Sequence, residues 1–149
     1  MNDIRQATTE DQNRIAEMEV FNYRLNFYPI FRSDWFYFQE LQVPKVARRY
    51  ENALDSLWVY DDGVVKGFIR TERGEVKKLF VEPALQGGGI GAKLLEFAVE
   101  TQDARFLWAL EKNEKAIAFY RRHGFHTTDE RKPEEGTEEF LVLMRRNPA

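Results

Sequence analysis

The run Glu75-Val76-Lys77-Lys78-Leu79-Phe80-Val81-Glu82-Pro83-Ala84-Leu85-Gln86-Gly87-Gly88-Gly89-Ile90-Gly91 joins an extended segment to four glycines. Pro83 has no N–H for a sheet ladder, so a strand starting at Glu75 should stop near Glu82. After the glycines, Ile90, Leu94, Leu95, Ala98 and Val99 recur with helical spacing and define one apolar face, which should pack on the sheet. A strand that runs into glycines opening a helix presents bare N–H groups and the positive end of the helix dipole. Residues without Cβ also let a bulky anion come close. The ligand this junction predicts is a nucleotide-like cofactor held by its phosphates.

At 149 residues the chain suits one globular domain and is too short for two comfortable ones. Hydrophobic residues make up 43% and charged residues 32%, with a net charge of -3, which argues against disorder and against a general nucleic-acid binder. Any anion site must therefore be local. Cysteine is absent, which removes disulfides, thiolate nucleophiles and sulfur-rich metal sites; His123 and His126 are a thin basis for zinc, so a metal-free mechanism is expected. The start, Met1 to Glu10, lacks an apolar core of signal type, and no stretch approaches 18 uninterrupted apolar residues. A cytoplasmic protein with no membrane partner is the expectation.

Outward from the junction, Asp3 to Thr8 reads as a first strand, and Thr9 with Gln12 as a capping box opening helix one. Residues 21–38 hold nine of the 21 aromatics; most of these rings are expected in the core, the remainder in an acceptor pocket or a dimer contact. Ser33 or Asp34 should cap a second helix that Pro44 interrupts or kinks before it continues from Val46 to Leu54. Leu57 to Tyr60 and Val64 to Arg70 flank Asp61-Asp62-Gly63 as a hairpin, and Glu72-Arg73-Gly74 turns into the strand from Glu75. Arg105 to Leu110 reads as a buried strand and Asn113 to His123 as a helix stopped by Gly124. Phe125 to Arg131 with Thr137 to Arg146 forms a closing hairpin whose acidic loop includes Glu134, Glu135, Glu138 and Glu139. The order is β-α-α-β-β-β-α-β-α-β-β.

Gln86-x-x-Gly89-x-Gly91 resembles the Gln/Arg-x-x-Gly-x-Gly/Ala signature of the GNAT N-acetyltransferase superfamily. Asn113-Glu114-Lys115-Ala116-Ile117-Ala118-Phe119-Tyr120-Arg121-Arg122-His123-Gly124-Phe125 is similar to that family's Asn-x-x-Ala-x-x-Phe-Tyr-x-x-x-Gly-Phe segment. A dinucleotide fingerprint, Gly87-x-Gly89-x-x-Ala92, belongs after the first strand of a repeated βαβ unit and here lies past mid-chain. A Walker loop needs Gly-Lys-Ser/Thr, whereas Gly91 precedes Ala92-Lys93-Leu94. A ligand-free turn must account for four glycines that each weaken local order by about 0.5–1 kcal/mol.

The resemblance implies an α/β (α+β) fold: a mixed, mostly antiparallel sheet of six to seven strands flanked by about four helices. It implies acetyl-coenzyme A as donor, its pyrophosphate on the amides of Gln86, Gly87, Gly88, Gly89, Ile90, Gly91 and Ala92, its pantetheine arm along Leu79, Phe80 and Val81, and Asn113 as a further cofactor contact. An N–H near Leu79 to Val81 is the implied oxyanion donor. Asn113 is equally explained as a plain helix cap. The resemblance also implies a small-molecule, peptide or protein amine as acceptor, and homodimers are common in the family. Amine acetylation needs one group to take a proton from the ammonium and another to give one to the departing thiolate. Tyr120 matches the family's usual acid, and its other reading is a core aromatic. Glu75, sixteen residues before Gly91, has the spacing of the base in the histone-lysine branch; Glu111, Glu72 or a water chain are the alternatives. A coenzyme A-binding regulatory module without turnover is the rival reading of the chain.

Overall fold

The computed structural model describes residues 3–146. Seven strands form one sheet in the order β1-β2-β3-β4-β5-β7-β6. They are β1 (Ile4–Gln6), β2 (Leu57–Asp61), β3 (Val65–Glu72), β4 (Glu75–Val81), β5 (Phe106–Leu110), β6 (Phe125–Pro133) and β7 (Phe140–Arg146). Every neighbouring pair is antiparallel except β4 and β5. The helices are α1 (Gln12–Asn22), α2 (Tyr28–Phe31), α3 (Val43–Arg49), α4 (Ile90–Thr101) and α5 (Glu114–Arg122). The mixed, mostly antiparallel sheet is the one expected, with one more short helix ahead of β2.

Helices cover both faces. One core cluster joins Ile15, Met18, Val46 and Tyr50 of the α1 and α3 region to Val59 and Phe68. The other joins Leu94, Leu95 and Ala98 of α4 and Ile117 of α5 to Ile69, Val76, Leu107 and Met144. The apolar face read from the spacing of α4 is thus the face that meets the sheet.

The strand boundaries at the turns follow local chemistry. The β2–β3 turn closes with Gly63 at φ 124° and its N–H on Asp61 Oδ1 at 2.9 Å. At the next turn Arg73 and Gly74 both take positive φ, 50° and 83°, the pair that a two-residue hairpin loop requires.

One expectation in the first third of the chain is corrected and another is narrowed. The box opening helix one lies one residue earlier than Thr9 and Gln12: the Thr8 N–H donates to Asp11 Oδ2 at 2.8 Å, and the Asp11 N–H returns to the Thr8 carbonyl at 2.9 Å. The Gln12 amide instead donates to the Ala47 carbonyl, tying α1 to α3. Of the two outcomes expected at Pro44, the helix is interrupted rather than kinked, and the later part ends at Arg49 rather than Leu54. Ser33 caps a short turn, accepting the N–H of Phe36 on Oγ and that of Tyr37 on its carbonyl. The chain then extends at Gln42, and α3 starts afresh with Pro44 in its first turn, where a missing N–H costs nothing.

Candidate active site

β4 and β5 pair at only two positions, Glu75 with Phe106 and Val76 with Leu107. Beyond them β5 follows β7 as far as Leu110 with Leu141, while β4 follows β3 as far as Val81 with Gly67. The two central strands therefore part, and a gap opens in the middle of the sheet. The gap runs into a cleft of about 780 Å³ lined by Glu75 to Val81, Trp108 to Leu110, the glycine loop and α5.

Main-chain direction along β4 can be read from its register. The Glu82 N–H donates to the Lys66 carbonyl at 2.9 Å, one step beyond the Val81–Gly67 pair. In an antiparallel ladder alternate residues face the partner. Phe80 and Lys78 therefore turn their main-chain groups to β3, and Leu79 and Val81 turn theirs to the gap. A bulge at Lys77, where the register jumps from Thr71 with Val76 to Arg70 with Lys78, resets the side chains. After it Lys78 and Phe80 face the α1 side, and Leu79 faces the α4 side. Of the three strand residues expected at the cofactor, Leu79 and Val81 offer main chain; Phe80 offers a ring, packed between Tyr23 and Phe68 at 5.5 and 5.6 Å.

The loop after β4 is held open by its glycines. Gly87 and Gly89 adopt φ 93° and 87°, and Gly89 is the N-cap of α4. A Cβ at either would meet nothing, so it is the left-handed backbone that excludes other residues. The first α4 bond runs from the Lys93 N–H to the Gly89 carbonyl at 3.1 Å. Among the described residues, the N–H groups of Gly87 through Ala92 have no acceptor. Six donors without acceptors thus lie at and just before the N-terminus of a helix beside the gap, where unpaired N–H groups and the helix dipole favour an anion.

α5 forms the facing wall. Asn113 caps it, Oδ1 accepting the Ala116 N–H at 3.2 Å, and also lines the cleft. Phe119 lies 3.5 Å from where a Gly91 Cβ would be, which brings α5 against the first turn of α4. Tyr120 lines the cleft with its ring 5.3 Å from Phe119 and 6.0 Å from Phe125. No protein group among the described residues bonds its hydroxyl. Burial pushes its phenol above the ordinary tyrosine value of 10.0, so it stays protonated at neutral pH.

Glu75 also lines the cleft, at the closed end where β4 and β5 still pair, and its carboxylate lies 3.3 Å from Lys77 Nζ. At 3.3 Å per residue it is about 13 Å along the strand from Leu79. The alternative carboxylates lie outside the cleft lining. Glu111 is clamped by Arg131 at 2.6 and 2.8 Å, and Glu72 faces Arg70 at 3.9 Å.

Of the nine aromatics in residues 21–38, Tyr37 is fully buried, and Tyr23, Phe27, Tyr28 and Phe31 are partly buried against the α1 core. Tyr23, Phe27 and Phe31 also line the cleft, while Phe21, Trp35, Phe36 and Phe38 are exposed. In the acidic loop Glu134 lines the cleft and Glu139 pairs with Lys112.

Two polar groups that the sequence did not single out stand on α1, and one of them, Asn22, lines the cleft. Glu19, 1% exposed, accepts the Tyr50 hydroxyl and lies 2.8 Å from Lys78 Nζ, which also stands 5.3 Å from the centre of the Tyr50 ring. Asn22, at the end of α1, bonds to the end of β4 and to Gln86. A polar residue at a position of the buried helical stripe is the one signal that marks both. Among the described residues no group of three or more His, Asp or Glu is placed to hold a metal, and no helix is long and apolar enough to cross a membrane.

Residues 53–127 match the family model described as an acetyltransferase (GNAT) domain. The peptidyl-lysine N-acetyltransferase YiaC of Escherichia coli strain K12 is 33% identical over 89 residues, 58% of this chain and 60% of that relative, so the chain matches less than two thirds of its length. In fold, the solution structure of apo-form YjaB from Escherichia coli superposes with a TM-score of 0.81 at 24% identity, covering 98% of this chain and 97% of that one. The PaiA N-acetyltransferase of Thermoplasma acidophilum, crystallised in complex with coenzyme A, gives 0.68 at 19% identity over 97% of this chain and 98% of that one. With the parted central strands, the glycine-capped α4 and the matched segment in agreement, the chain belongs to the GNAT acetyltransferase family.

Proposed function

We propose that this protein is an N-acetyltransferase that passes an acetyl group from acetyl-coenzyme A to a primary amine by direct attack, with donor and acceptor bound together. The observation that carries the reading is the row of six unpartnered amides, Gly87 to Ala92, opening onto the gap between β4 and β5. Diphosphate on the Gln86–Ala92 bend leaves the pantetheine arm to pair with the main chain of Leu79 and Val81, as an added strand would. The donor supplies an acyl thioester; this chain's residues orient it and move the protons. The N–H of Leu79 or Val81 faces the charge that develops on the carbonyl oxygen. Tyr120 gives its proton to the departing sulfur, and Asn113 holds the arm. Glu75, too far along β4 for direct contact, takes the ammonium proton through water.

The acceptor enters beside Tyr23, Phe27 and Phe31, an aromatic wall suited to a cation. Similarity to peptidyl-lysine acetyltransferases favours a lysine side chain of a peptide or protein over a small amine. The pairing of Glu75 with Lys77 favours one second reading, a coenzyme A-binding module without turnover. The two readings separate when a panel of amines, including lysine peptides, is incubated with acetyl-coenzyme A and free thiol is followed. Turnover with any amine supports the enzyme. Coenzyme A binding with no thiol release across the panel contradicts it.

A further inference from the structure

Asn22 is the last residue of α1 and is 2% exposed, yet all of its side-chain polar atoms are engaged. Its Nδ2 donates to the Met18 carbonyl of its own helix at 2.7 Å and to the Val81 carbonyl at 2.9 Å. Its Oδ1 accepts Gln86 Nε2 at 2.8 Å and, more loosely, Asn26 Nδ2 at 3.4 Å. Gln86 Nε2 also reaches the Val81 carbonyl at 3.3 Å.

Val81 is where β4 ends and its main chain faces the gap, so its carbonyl has no strand to accept from. Asn22 and Gln86 fill that role. Gln86 is exposed as a residue, and its side-chain amide reaches back to the strand end and to Asn22. In the loop that follows, the N–H groups of Gly87, Gly88 and Gly89 have no acceptor among the described residues, and Gly87 and Gly89 stand at positive φ; from the Gly89 carbonyl onward the first turn of α4 holds the chain. The helix sets the donors of Ile90 to Ala92, but among the described residues no hydrogen bond from the N–H groups of Gly87 to Gly89 fixes where those three aim. The Gln86 anchor at the loop's first residue does so, and that anchor is set by a buried side chain on α1.

We propose that Asn22 is a positioning residue for the cofactor loop: through Gln86 and the Val81 carbonyl it holds the Gly87–Gly89 amides where a diphosphate meets them together. The inference rests on the coenzyme A reading above, and its failure is distinguishable from failure of that reading.

The test is calorimetric titration of coenzyme A into wild type, Asn22→Ala, Gln86→Ala and the double variant, alongside the melting temperature of each apo protein. Losing one such hydrogen bond should raise Kd about fivefold. Both single variants should show this rise. Gln86→Ala, which removes an exposed residue's side chain, should do so with an apo melting temperature close to wild type. The double variant should be no weaker than the weaker single, because both act on one network. A Gln86 side chain that merely touched the ligand would give multiplying effects, and that result overturns the inference. So does an unchanged Kd in Gln86→Ala, which decides the matter alone should Asn22→Ala fail to fold. If wild type binds no coenzyme A, it is the proposed function that fails.

Discussion

Replacing Tyr120 by Phe removes one oxygen and little else. The ring rests against Phe119 and Phe125, and no group among the described residues bonds the hydroxyl, so the variant loses none of their hydrogen bonds and strands no partner among them. The apo melting temperature and the Kd for coenzyme A should stay near wild type. Turnover should not. A thiol with the ordinary value of about 8.5 leaves as thiolate at pH 7 uphill by about 2 kcal/mol. The apolar setting that raises the Tyr120 phenol also penalises a bare thiolate, so the cost of losing the proton donor is about 3 kcal/mol, or about 10²-fold in kcat. Because the phenol is raised, it remains an acid across pH 6–9 in wild type. The deficit of the variant should shrink as pH passes the thiol's own value, where the leaving group no longer needs a proton. Thiol release measured across that range, with coenzyme A titrations on the same samples, makes the check. A kcat within about threefold of wild type at pH 7, or a loss matched by weaker coenzyme A binding and a lower melting temperature, refutes the assignment and leaves Tyr120 a packing residue.

Three further outcomes concern stability. Tyr37 is fully buried with a hydroxyl that has no partner among the described residues, and burial pushes that phenol up to about 12; Tyr37→Phe should gain about 1 kcal/mol, a melting temperature higher by about 2–4 °C, whereas a decrease would show an unseen partner. Lys78→Met leaves the buried Glu19 carboxylate without its cation and should cost about 3 kcal/mol in urea unfolding, largely restored in the Lys78→Met, Glu19→Gln double variant; a change below about 1 kcal/mol contradicts the pairing. Hydrogen bonds from Arg5 hold the Asp11 carboxyl below its ordinary 3.8, so its contribution is present above that pH and is lost as pH falls. Melting temperature should therefore drop between pH 6 and pH 3, and more in wild type than in Asp11→Asn; parallel curves would sink this prediction.

The junction from Glu75 to Gly91 was legible because its determinants are local. A proline without an N–H ends β4, positive φ at Gly87 and Gly89 requires glycine, and the helical spacing from Ile90 onward names the face of α4. The same holds for the two hairpins, whose turns carry Asp-Gly and Arg-Gly. The segment from Phe21 to Glu40 was not legible in detail. Its aromatics are too dense to show a period, so sequence could not separate Tyr37, fully buried, from Trp35, 65% exposed. The bulge at Lys77 leaves no mark in the sequence, yet it decides that Lys78 meets Glu19. Glu19 with Lys78 and Asn22 with Val81 are each separated by 59 residues, and such contacts exist only once the fold brings α1 across β4. The cap at Thr8 missed by one residue because Asp11 competes with Gln12 for the same role, and Arg5 tips the balance toward the carboxylate.

The central claim of the proposed function is that main-chain amides from Gly87 to Ala92 grip a diphosphate and aim a thioester at the gap between β4 and β5; the Gln86 N–H is taken by the Pro83 carbonyl. A crystal structure with coenzyme A tests it most directly. The claim predicts diphosphate oxygens within about 3 Å of several of those N–H groups and the pantetheine arm paired with Leu79 and Val81. A ligand lodged anywhere else, or a bend that accepts a nicotinamide or flavin nucleotide and not coenzyme A, contradicts it.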